Sequence, residues 1–184
     1  LTNSHQRITR WIENDPLRVE VLTAAKTLNL KNWHIGAGFV RNLVWDKLHG
    51  VNTTQLNDID LIYYDEDKSS AELDLYYENQ LKEAMPINWS VKNQVRMHIR
   101  NNHQPYLHIS DAISYWPEIE TAVAVKYNEN NVLEFVAPFG LEHLFSYTIT
   151  QNSKNCDSDI FNARVKNKGW LSKWPKLKVI KNAT

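Results

Sequence analysis

Trp33-His34-Ile35-Gly36-Ala37-Gly38-Phe39-Val40-Arg41-Asn42, with Asn57-Asp58-Ile59-Asp60-Leu61-Ile62 beginning its acid pair 20 residues after Gly38, decides how this chain folds. The first stretch reads as a short strand, a small-residue turn and a helix start. Glycine at both corners lets backbone approach a ligand closely. The unbonded amides and the dipole of a helix start favour phosphate, and Arg41, one turn in, can add a forked contact. In the second stretch, side chains two apart share a face of a strand. Ile59 and Leu61 therefore point one way, Asp58 and Asp60 the other. Adjacent carboxylates repel unless a cation lies between them, and hard oxygen ligands suit magnesium. Taken singly, each stretch also has a plain reading: a tight helix entry, and a turn at Asn57-Asp58 followed by a solvated Asp60.

Two familiar glycine signatures fail. A dinucleotide fingerprint needs a third glycine at position 41, which is Arg. A P-loop needs Gly-Lys-Ser/Thr after four intervening residues, and none is present.

Outward from these stretches, residues 17–30 carry Leu17, Val21, Leu22, Ala25 and Leu28 at helical spacing, with Pro16 and Asp15 as first-turn residue and cap. Residues 39–49 predict a helix closed by Gly50. Residues 57–64 predict a strand, and residues 69–84 a helix opened by a Ser69/Glu72 capping box and stopped by Pro86. Residues 87–91 predict a strand, 93–100 a helix and 110–116 a short helix. Residues 122–127 and 132–137 flank Asn128-Glu129-Asn130-Asn131 as a hairpin. Residues 140–150 and 159–168 predict helices, and residues 174–180 a basic, extended tail. Interleaved helices and strands plus a late hairpin predict an α/β (α+β) fold, a mixed sheet flanked by helices. The 184 residues suit one domain, with a core over about 17–150 and a C-terminal helical and basic tail.

With 21 basic and 21 acidic residues the formal charge is zero, so no global field draws the chain to nucleic acid or an acidic membrane. Seven Trp, eight Tyr and 42% hydrophobic residues supply ample apolar area. Cys156, the single cysteine, cannot form an internal disulfide. No apolar run approaches the roughly 18 residues that span a bilayer, and residues 1–15 hold no signal-type apolar core. These features predict a cytoplasmic protein. His98, His103 and His108, five apart, do not align for zinc, and no Gly-x-Ser-x-Gly elbow is present.

The combination Gly-Ala-Gly-Phe-Val-Arg-Asn (36–42) with Asn-Asp-Ile-Asp-Leu (57–61) resembles the polymerase-β-like nucleotidyltransferase superfamily, and its local form resembles tRNA nucleotidyltransferases. With residues 89–98, Trp116-Pro117-Glu118, residues 121–125 and residues 137–141, the chain looks most like an uncharacterised bacterial nucleotidyltransferase family over residues 33–145. The resemblance implies Mg2+ or Mn2+, a nucleoside triphosphate, and transfer of its nucleoside monophosphate to an acceptor (small molecule, protein or RNA end). It places the metal on Asp58 and Asp60 and the triphosphate on Gly36, Ala37, Gly38 and Arg41. It also implies a third carboxylate from a neighbouring strand. Residues 87–91 hold no acid, and Glu134, on a later strand, is the remaining candidate. Its absence would leave a nucleotide-binding module with weak or no transfer. Lys92, Asn93 and Arg96 share one side if residues 92–98 are helical, where they can meet phosphate, with His98 as a proton handler.

Overall fold

A computed structural model describes residues 3–52, 54–154 and 158–181; the lone Cys156 lies outside them. The sheet is built around the quoted strand. Strand β1 (His34–Gly36) pairs antiparallel with β2 (Ile59–Tyr63), and β2 pairs parallel with β3 (Trp89–Asn93). On the other side β1 pairs antiparallel with β4 (Ala124–Tyr127), which forms the expected hairpin with β5 (Leu133–Val136). The order is β3-β2-β1-β4-β5. This is a mixed sheet flanked by helices.

Helices α1 (Ser4–Glu13), α2 (Pro16–Thr27), α3 (Gly38–His49) and α4 (Ala71–Ala84) bury their apolar stripes on one sheet face. Ile8, Val21, Val40 and Leu81 meet Ile35, Ile59, Leu61 and Val91 there. Helix α1 has no counterpart in the sequence reading, although Ile8 and Ile12 sit four apart and are both fully buried. Asp15 caps α2 by accepting from the Arg18 amide at 3.1 Å. Gly50 ends α3 in the left-handed region, φ 63°. The crossover from β2 to parallel β3 runs through α4, as a parallel pair requires.

Three local expectations shift. Ser70, not Ser69, caps α4, accepting from the Leu73 amide at 3.2 Å. Residues 93–100 are not one helix. Asn93 ends β3, and its side chain caps a 3-10 turn (Gln94–Arg96) before α5 (Met97–Asn101). Residues 140–150 form only a 3-10 turn (Glu142–Phe145) before strand β6 (Thr148–Thr150). The β-branched Thr148-Ile149-Thr150 run favours strand, and buried Glu120 fixes it: Oε1 accepts both threonine hydroxyls at 2.7 Å, and Oε2 the Thr150 amide at 2.8 Å.

The opposite sheet face carries Ile62 and Ala124 against α6 (Ile109–Ile113), with Tyr64, Trp116 and Val136 packed beside them, and opens to a cleft. Beside it, β6 pairs parallel with β7 (Lys178–Ile180), and α7 (Ser158–Asn167) and α8 (Trp170–Lys173) pack with them. Trp45 of α3 is the floor of this C-terminal unit, buried against Phe161, Trp170 and Trp174. Asp46, also buried, accepts from Trp174 Nε1 at 2.9 Å and from the Thr54 amide and hydroxyl at 2.7 and 2.6 Å. No helix among the described residues is long and apolar enough to cross a membrane. Trp174→Phe removes one donor to the buried Asp46 carboxylate. It should cost about 1.5–3 kcal/mol in urea unfolding, whereas a loss near zero would show the C-terminal unit to be held by packing alone.

Candidate functional site

Strand β2 sends Ile59, Leu61 and Tyr63 into the main core, leaving Asp60 and Ile62 on the open face. A cleft of about 690 Å3 opens there, lined by Ala37, Asp60, Lys92, Trp116, Thr121 and Arg164 among others. Its size falls within the range of small-molecule sites.

One corner of the cleft is the turn from β1 into α3. A Cβ on Gly36 would stand 2.7 Å from Cη2 of Trp116, so glycine is required there by the indole that covers it. The left-handed backbone belongs to Ala37 (φ 54°, ψ −119°) and not to a glycine. The Ala37 amide is fixed by donation to Val123 O at 2.9 Å. Such a conformation at a residue with a Cβ costs on the order of 1–3 kcal/mol and persists only where the surroundings impose it. It starts α3 at the cleft wall, with no side chain capping the first turn. The first-turn amides have no intrahelical acceptor and form an anion-favouring corner. Gly38 lies beside Asn42, whose Nδ2 would be 3.2 Å from an added Cβ.

The second corner is acidic. Asp58 precedes β2, is exposed, and accepts a hydrogen bond from Asn88 Nδ2. Asp60 lines the cleft, and its carboxyl is pushed up first by burial and then by the Asp58 charge. Lys168, Arg41 and Arg164 pull it back down. Among the described residues no group of three or more His, Cys, Asp or Glu is placed to hold a metal. Two carboxylates nevertheless fit magnesium, which keeps several waters and takes its remaining ligands from substrate phosphates. The buried Asp60 carboxyl with the Asp58 charge close by is a donor set that a divalent ion would relieve.

Glu134 is not brought to this pair. It sits on β5, with β4 and β1 between it and β2, about 14 Å away at the usual strand spacing. It is occupied by Lys126 at 3.5 Å and by Asn128 Nδ2 at 3.0 Å. The residue opposite Asp60 on the adjacent β3 is Ser90.

Arg41 is placed behind the cleft, not in it. Its guanidinium is buried between Trp45 and Trp170, 5.0 and 4.6 Å from their ring centres. Nη1 donates to Thr121 Oγ1 at 2.6 Å, and Nε and Nη2 to Asn42 Oδ1 at 3.2 and 3.0 Å. Burial lowers its pKa to about 10. The fork expected to grip phosphate is used inside the protein.

The polar block after β3 also divides. Lys92 lines the cleft, 3.5 Å from Glu78. Asn93 is fully buried and donates to Asp65 O at 2.7 Å and Lys68 O at 2.9 Å, a loop-holding role. Arg96 forms an ion pair with buried Asp74, which also accepts from the Tyr63 hydroxyl at 2.7 Å. His98 has Nδ1 2.7 Å from Val95 O and an edge contact with Tyr106. The shared helical side expected for Lys92, Asn93 and Arg96 does not form, because Lys92 and Asn93 are alternating strand residues. The sequence reading missed Thr121 and Arg164. Arg164 comes from α7, more than a hundred residues after Asp60, and binds fully buried Glu118 through Nε at 2.6 Å and Nη2 at 3.1 Å. Nothing local marks it.

The sequence profile of the nucleotidyltransferase family matches residues 23–179. The chain belongs to this family. Among curated proteins, none matches. Among solved structures, an NMR structure revealing a CCA-adding enzyme head domain superposes with a TM-score of 0.85 at 32% identity, covering 100% of this chain and 98% of that one. A CCA-adding enzyme in complex with CTP superposes at 0.61 with 14% identity, covering 94% of this chain and 43% of its own. A tRNA nucleotidyltransferase complexed with a primer tRNA and an incoming ATP analog superposes at 0.53 with 17% identity, covering 86% and 46%. The chain thus has the polymerase-β-like nucleotidyltransferase fold of these heads and spans less than half of the two larger enzymes.

Gly36→Ala should cost about 1–3 kcal/mol, the usual penalty of overpacking, read from urea unfolding. Trp116→Leu in the same chain should recover most of it, since the two sites touch. Equal losses in the presence and absence of Trp116 would place the strain elsewhere.

Proposed function

We propose that this chain is a metal-dependent nucleotidyltransferase that moves a nucleoside monophosphate from a nucleoside triphosphate to an acceptor hydroxyl, releasing pyrophosphate. The observation that carries the proposal is that Ala37, at the amide end of α3, and Asp60 open onto one cleft. An anion corner and a cation-seeking corner side by side on adjacent strands β1 and β2 suit a metal–triphosphate complex.

Asp58 and Asp60 would hold Mg2+ or Mn2+; when bound, the ion supplies charge neutralisation and Lewis acidity at the phosphate oxygens. The first-turn amides of α3, entered through Gly36, Ala37 and Gly38, would orient the phosphates. Lys92 would add positive charge from β3. The acceptor hydroxyl gives its proton to solvent and bonds to the α-phosphorus as the bond to the pyrophosphate oxygen breaks, pyrophosphate leaving with that electron pair. Much of the acceleration in such a displacement comes from positioning and preorganised charge. Structural relatives solved with CTP and with an incoming ATP analog support a nucleoside triphosphate as partner. A second reading, nucleotide binding with weak or no transfer, is favoured by one feature: Ser90 stands opposite Asp60 where a third acid would complete the set.

Thermal shift with each common nucleoside triphosphate, with and without magnesium, tests binding; pyrophosphate release with candidate acceptors then separates the two readings. At ligand a hundredfold above Kd the midpoint should rise roughly 5–10 °C in a domain of this size. Asp58→Asn with Asp60→Asn should abolish the magnesium-dependent part, and its retention would remove the acid pair from the site. The apo protein supplies an independent check. Because the Asp60 carboxyl is raised above its ordinary 3.8, the native state holds that proton to higher pH than the unfolded chain. Its contribution to stability is therefore full below the unfolded value and is lost as pH rises through the folded one. Apo Asp60→Asn should accordingly melt above wild type at pH 7–8, with the gap narrowing toward pH 4; a lower midpoint at neutral pH would contradict it.

A further inference from the structure

Helix α7 lays one stripe along the cleft. Ile160 and Arg164 both line it, and Lys168, one residue past the helix, follows at the same spacing of four, its amide still donating to Arg164 O at 2.9 Å. The helix is held from behind by buried Phe161 and by Trp170 just beyond it. Arg164 itself is fixed. Glu118, with no exposure, takes Nε and Nη2 in a bidentate pair, while Nη1 is outside that pair and the side chain keeps 32% exposure. Its guanidinium also lies 5.8 Å from the Trp170 ring. An arginine locked on one edge and open on the other is preorganised to donate to an oxyanion, since the cost of ordering it is already met within the fold. Arg41, which the sequence offers for that task, is sealed behind it.

We infer that Arg164 of α7 and Lys168, one residue past its end, are the cations that hold the triphosphate in this cleft, so that the C-terminal unit supplies one wall of the nucleotide site. The inference rests on the nucleotide reading above. It is independent of the acid pair, because it concerns the phosphate chain and not the ion.

The test is calorimetric titration of inorganic tripolyphosphate and of ATP, each with magnesium, into wild type, Arg164→Lys and Lys168→Gln. Arg164→Lys keeps a positive charge beside Glu118 but loses the planar fork. It should weaken both ligands about tenfold, the loss of one charge-assisted hydrogen bond. Lys168→Gln, at an exposed position, should weaken both about threefold and leave the apo melting midpoint unchanged. Unaltered tripolyphosphate affinity in both folded variants overturns the inference while leaving the nucleotide reading standing. If Arg164→Lys fails to fold, Lys168→Gln decides alone, and wild-type affinity in it overturns the inference. Wild-type protein that binds neither ligand overturns both proposals together.

Discussion

A carboxylate cannot stay ionised away from water without a partner, and Glu118 has no exposure at all. Its oxygens are taken by Arg164 and by the Thr121 hydroxyl at 2.7 Å, and Thr121 in turn receives Arg41. Glu118 also bridges to Gln151 at the end of β6. One buried acid thus couples the five-stranded sheet, the tryptophan-lined C-terminal unit and the wall of the cleft. Removing one partner of such a pair typically costs about 3–5 kcal/mol, because the other charge is left stranded. The position of α7 against the cleft is therefore tied to the stability of the whole.

Charge at the cleft is arranged by depth. Arg41 is deepest, its charge spread over two indole faces. Arg164 is intermediate, and Lys168 is at the surface. The same cleft holds a carboxyl raised by burial and by a neighbour of the same sign. The chain's formal charge of zero hides this local separation. Net charge speaks to solubility and long-range steering; it has no bearing on whether two corners of one cavity carry opposite signs.

The strand–turn–helix and the Asp-x-Asp strand were legible because their signals are local: alternation, glycine and helical spacing all act within ten residues. The hairpin at residues 128–131 was legible for the same reason. The roles of Arg41 and Glu134 were not. Arg41 occupies the position where a helix-start arginine reaches phosphate, but two tryptophans distant in sequence from each other close over it. Glu134 lies on a real strand, yet strand order is a non-local property, and two strands intervene. Gly36 was legible as a required glycine, though for a ligand's approach and not for Trp116. Ala37 shows the converse: propensity favours glycine at positive φ, and tertiary packing placed that conformation on alanine. The strand at Thr148–Thr150 lost its signal to a helical pattern, which its β-branched run, the buried Glu120 and pairing with β7 together override.

The parallel pairing of β6 with β7 has a consequence for how this molecule comes into being. Cleft-lining residues run from Ala37 to Arg164, and α7 and α8 pack with β7, whose residues are 178–180. A chain emerging from the ribosome can assemble β1, β2 and β3 with their helices early, but Trp45 meets Trp170 and Trp174 only after some 125 further residues have followed it. Contacts closed over so long a loop are slow to form. Until they do, α3 carries an uncovered indole, and the nascent protein has its acids without the wall that faces them.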